Sequence, residues 1–157
     1  MQWRIEKGHI YAWGGETDPE EILRLKAAER ADHHFQGRGI IDPGILYYFD
    51  RVLDLCRQRG IRVVLVRLPI SRYYFDKVRE YGAVDKVDLL TEEVRKRHPG
   101  VIFLDLHALY ENDMTLYTDV DHLNPQGADR LTEYIRPLLS ELVAGDGPAA
   151  GRGQRGG

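Results

Sequence analysis

The chain has 157 residues, 43% apolar and 30% charged, the balance of one globular domain able to bury a core. Twenty-two Lys and Arg against 25 Asp and Glu leave a formal charge of -3, which excludes a global basic field for holding nucleic acid. The single cysteine, Cys56, excludes an intramolecular disulfide; no apolar run approaches the roughly 20 residues of a membrane span, and Met1 to Lys7 has no apolar signal core. As written, the sequence reads as a soluble chain without an export signal, cytoplasmic on that basis, although one cysteine is compatible with either redox compartment.

In chain order, Gln2 to Trp13 reads as extended, and Asp18-Pro19-Glu20-Glu21 opens a helix running to about His34. Asp42-Pro43 opens the clearest helix and Gly60 closes it, because Asp caps, Pro fits the first turn and Gly ends it. Ile45, Tyr48, Phe49, Val52, Leu53 and Cys56 make its apolar face. Ile61 to Leu68 is a β-branched run ending at Pro69, which predicts a buried strand. Asp85 to His98 has helical spacing, Pro99-Gly100 stop it, and Val101 to Leu106 predicts a second strand, parallel to the first and next to it. A final helix begins near Asn124-Pro125, buries Ala128, Leu131, Ile135, Leu138 and Leu142, and meets a kink or boundary at Pro137. Ala144 to Gly157, with six glycines, is expected to be a disordered tail. The expectation is therefore one α/β domain over residues 1–143: a parallel sheet with helices on both faces and any site at the carboxyl ends of its strands.

Those ends place Pro69 to Tyr74 beside the segment from His107 to Asn124, which contains Asp119-Val120-Asp121-His122-Leu123-Asn124-Pro125-Gln126-Gly127-Ala128. A carboxylate three residues before an imidazole, in a loop ahead of a helix, can orient the ring and stabilise its protonated form. That is the base half of a nucleophile–base–orienter triad. The bland reading is a solvated acidic loop whose Asn124 caps the last helix.

The run Phe103-Leu104-Asp105-Leu106 followed by Asp119 to Ala128 resembles the last block of the SGNH (GDSL-like) hydrolases and acyltransferases. The helix Tyr47 to Gly60 and the strand Val63 to Pro69 are similar to the elements preceding that block, including branches that acylate polysaccharides. The likeness is clearest over residues 42–142. It implies a flavodoxin-like three-layer sandwich, here incomplete, with Asp119 as triad acid and His122 as base. It also implies an ester substrate, small or carbohydrate, and no cofactor.

The nucleophile block of that family, Gly-Asp-Ser after the first strand, is absent. The two serines are Ser71 and Ser140. Ser71 lies at the right sheet edge, but its ordinary role is a helix N-cap; Ser140 lies inside the last helix and Cys56 on an apolar helix face. Gly14-Gly15 is a faint candidate for oxyanion-donor backbone. Arg67, Arg72, Tyr73 and Tyr74 near the same edge, with Asn124, are candidate substrate contacts. Asp119, Asp121, His122, His107 and Asp105 crowd one region, but without a tight His pair no metal is expected; His33-His34 reads as a surface pair. Three readings follow. One is the carboxyl-terminal part of an SGNH-like esterase or O-acyltransferase, inactive alone, whose serine a partner protein or an N-terminal segment would supply. The others are a degenerate, non-catalytic relative used for binding or assembly, and an unrelated α/β domain.

Overall fold

Asp42 and Pro43 start a helix because the aspartate Oδ1 accepts the Ile45 amide at 3.0 Å, while proline occupies the first turn. In the computed structural model, which describes residues 2–6, 9–13, 18–36 and 41–144, this helix (α2) spans Pro43–Gln58. Before it stand strands β1 (Gln2–Glu6) and β2 (His9–Trp13) and helix α1 (Glu20–Phe35). The extended run at the start is thus two antiparallel strands, with Gln2 opposite Trp13 and Glu6 opposite His9. Helix α1 carries Glu20 and Glu21 in its first turn and His33 and His34 in its last, the arrangement that complements a helix dipole.

After Gly60, left-handed at φ 66°, comes β3 (Val64–Arg67). Helix α3 (Arg72–Glu80) and helix α4 (Ala83–Arg97) separate it from β4 (Ile102–Asp105). The two strands are parallel neighbours as the sequence predicts, Val64 opposite Ile102 and Arg67 opposite Asp105. A short 3-10 turn (Met114–Leu116) and helix α5 (Pro125–Ala144) complete the order. The chain is a mixed α/β protein, mostly helical, and among the described residues its parallel sheet has two strands. No helix among those residues is long and apolar enough to cross a membrane. Gly14-Gly15 and the tail beyond Ala144 lie outside the described residues.

The buried core does not sit on the α2 face that the periodicity marks. Leu23, Ala27 and Ala31 form a stripe on α1 that packs against Tyr74 and Val78 of α3, Ala83 of α4 and Val120 of the final loop. The two alanines allow close approach, and each is fully buried. On α2 only Leu53 is buried, while Ile45, Tyr48 and Val52 are more than half exposed. Amphipathic spacing specifies a helix and its apolar side; it does not specify what covers that side. The C-terminal end of α4 is tied to α2 by Asp50, which meets the buried His98 ring at Nε2 (3.1 Å) and the Arg97 guanidinium.

Helix α5 runs unbroken through Pro137, so the proline marks no boundary. Of its predicted core positions Leu131 is buried, Ile135, Leu138 and Leu142 are half-buried, and Ala128 is exposed. The Leu142 carbonyl accepts from Arg62 just ahead of β3.

Candidate functional site

The end of β3 is sewn to the segment that follows β4. Ile70 N–H donates to the His107 carbonyl (3.1 Å), Ser71 N–H to Val120 (3.2 Å) and Arg72 N–H to Glu111 (2.8 Å). The loop itself closes on Thr118 N–H to His122 O (2.9 Å) and Asn124 N–H to Leu116 O (2.9 Å). Inside it, Asp119 Oδ1 accepts the amides of Asp121 (3.0 Å) and His122 (2.8 Å), an aspartate organising its own turn. The same carboxylate meets His122 Nδ1, at 2.9 Å from Oδ2 and 3.1 Å from Oδ1. Because a carboxylate can only accept, a neutral His122 ring in this geometry holds its proton on Nδ1 and a lone pair on Nε2. The ring is 57% exposed, and Nε2 has no hydrogen-bond partner among the described residues.

Burial pushes the Asp119 carboxyl up, but the Asp121 amide and the His122 ring and amide outweigh it, so its pKa lies below the usual carboxylate value. Asp121 faces the same ring. Its side chain is only 9% exposed, its Oδ2 accepts from Arg30 Nε of α1 at 3.0 Å, and its Oδ1 lies 3.3 Å from His122 Nδ1. Burial raises its pKa against the opposing hydrogen bond from Arg30. One imidazole nitrogen therefore faces two carboxylates.

Sequence reasoning missed Arg30 and read His34 as half of a surface pair, whereas it is half-buried; both lie on α1, some ninety residues from the loop in the chain. The only signal for them is that helix-turn spacing puts Arg30 beside Ala27 and Ala31 and His34 one turn further. His34 Nδ1 lies 2.6 Å from the Tyr74 hydroxyl. Burial pushes the Tyr74 phenol up to about 12 and, with the charge of Arg30, holds the His34 ring below its ordinary 6.5. Phenol donates and neutral imidazole accepts. A histidine that is harder to protonate when folded contributes stability that is fully present above pH 6.5 and declines as the pH falls through that value. The thermal midpoint should therefore drop between pH 7.5 and 5.5, and drop less in His34→Gln, whose amide oxygen can still accept from Tyr74; equal drops would remove His34 from the account.

The other predicted site residues are dispersed. Ser71 is fully buried, and its Oγ accepts the Tyr74 amide at 3.3 Å as the N-cap of α3. Arg67 bonds Asp88 (2.8 Å) and Asp105 (3.4 Å) and lines a separate cleft of about 830 Å³ beside α4. Among the described residues the Arg72 guanidinium lies nearest the Asp76 carboxylate, at 3.9 Å. The Tyr73 ring lies under Arg24, and the Tyr74 ring is buried. Asn124 is committed to the backbone: its amide donates to Thr115 O (2.7 Å) and its Oδ1 accepts from Gly127 N (2.9 Å), opening α5. His107 forms its own pair with Asp105 (2.7 Å) and stacks on Phe75.

No protein-family model, curated protein or solved structure matches the chain.

Proposed function

We propose that the Asp119–His122 pair is the acid–base half of an ester-processing site, of the SGNH-like esterase or O-acyltransferase kind, acting on a small or carbohydrate ester. The observation that carries this reading is the two-sided arrangement of His122: Nδ1 held from behind by Asp119, and a solvent-exposed ring whose Nε2 has no partner among the described residues. A base must be oriented on one side and open on the other, whereas a merely solvated loop has no cause to arrange both. In the reaction, Nε2 takes the proton of the attacking hydroxyl and later returns it to the leaving alcohol, while Asp119 stabilises the imidazolium between the two steps. The frame would be the three-layer sandwich of that superfamily, to which β3, β4 and the helices around them would contribute.

Since Ser71 is buried and already used as a helix cap, this reading takes the attacking hydroxyl from elsewhere than Ser71. A second reading, a non-catalytic relative used in binding or assembly, is favoured by that same commitment of Ser71.

The ring proton tests the arrangement. In nitrogen-15 spectra of the metal-free protein near pH 8, His122 should appear as the Nδ1–H tautomer. Asp119→Asn should shift it toward the mixture typical of a free ring. A parent already in that mixture would end the base reading.

A further inference from the structure

Asp119, Asp121 and His122 each offer one ligand atom, and the three atoms lie within 4.8 Å of one another. Three such residues in one exposed loop are common, and the hydrogen bonds among them say nothing about a ligand. The informative atom is Asp121 Oδ1. It is buried on a side chain only 9% exposed, has no hydrogen-bond partner among the described residues, and is held 3.3 Å from His122 Nδ1. The Nδ1 proton is already directed at Asp119, 2.9 Å away, so it cannot satisfy both carboxylates. A buried carboxylate oxygen without a donor costs free energy, and Arg30 satisfies only the other oxygen of Asp121.

We propose that this loop is a zinc(II) site, with Asp119, Asp121 and His122 Nδ1 as ligands and the fourth position open to solvent. Zinc takes nitrogen and carboxylate oxygen at about 2.0–2.1 Å in a tetrahedron, which separates neighbouring ligand atoms by about 3.3 Å. The His122 Nδ1 distances of 2.9 Å to Asp119 and 3.3 Å to Asp121 need little adjustment to meet that. One imidazole beside two carboxylates suits zinc over magnesium or calcium, which favour all-oxygen sets. Arg30 holds the far oxygen of Asp121 and leaves Oδ1 directed at the site, the role of a second-sphere partner.

Binding has a chemical consequence for His122. The metal takes the Nδ1 lone pair, so the proton leaves Nδ1 and a neutral ring carries it on Nε2 instead; no net proton is lost. The nitrogen that the base reading needs open is then protonated, and zinc switches the base off. The metal site goes beyond that reading and stands without it, since the metal-free tautomer tests the base and the zinc-dependent change tests the site.

The experiment is a titration of the full chain with zinc chloride in a non-chelating buffer, followed by calorimetry and by the His122 ring nitrogens. Expected is saturable one-to-one binding accompanied by the switch of His122 from Nδ1–H to Nε2–H. Asp121→Asn and Asp119→Asn should each weaken binding at least tenfold, and Arg30→Gln about tenfold, the usual cost of removing a second-sphere partner. Circular dichroism and melting establish that each variant is folded, and the two aspartate variants serve as alternatives if one is not. The proposal is overturned by an absence of saturable binding, by zinc shifting only His33, His34 or His107, or by folded aspartate variants that bind like the parent.

Discussion

The chain by itself is expected to hydrolyse a simple aryl acetate no faster than its Ser71→Ala or His122→Gln variants do. Removing the nucleophile of a serine triad costs about a million-fold in turnover, and an orphaned imidazole recovers almost none of it. Ser71 is the serine nearest the pair in the fold, its amide bonded to the Val120 carbonyl one residue from Asp119. Its hydroxyl, however, accepts the Tyr74 amide on a fully buried side chain. To attack an ester it would have to leave the α3 cap, at about 1 kcal/mol, and reach solvent as well. Turnover present in the parent and lost in Ser71→Ala would promote Ser71 to nucleophile and reverse that assignment.

Gly127→Ala should be among the most destabilising single-methyl changes in the molecule. A Cβ at this position would sit 2.2 Å from the Leu116 carbonyl oxygen and 3.0 Å from the Leu123 side chain. The obstruction is backbone, so no rotamer change relieves it. The same carbonyl accepts the Asn124 amide that closes the loop, so α5 cannot back away without loosening the turn that carries His122. Overpacking of this kind costs about 1–3 kcal/mol, and at this chain length each kcal/mol lowers the thermal midpoint by about 3 °C. The expected signature is a lower midpoint together with a shifted His122 ring environment. An unchanged midpoint would mean that α5 does not approach Leu116 as described. By contrast, Gly100 has open space where its Cβ would go, and alanine there should be nearly silent.

What the sequence determined by itself was local and periodic. The Asp42 cap with its proline, the β-branched runs that became β3 and β4, their parallel adjacency, and the turn in which Asp119 accepts the Asp121 and His122 amides all depend on residues within a few positions of one another or on a short crossover. The Asp119–His122 pair was legible for the same reason: a three-residue spacing brings both side chains to one side of a tight turn. The tertiary structure alone decided which apolar faces are covered. Periodicity marked α2, yet the core formed between α1 and α3, where two alanines allow close packing, while Ile45, Tyr48 and Val52 of α2 stay exposed. It also decided the surroundings of the loop. Arg30 reaches Asp121 across ninety-one positions and Tyr74 meets His34 across forty, and no local spacing encodes such pairings. They arise because burying Ala27 and Ala31 of α1 against α3 turns Arg30 toward the Asp121 carboxylate, one residue from the buried Val120.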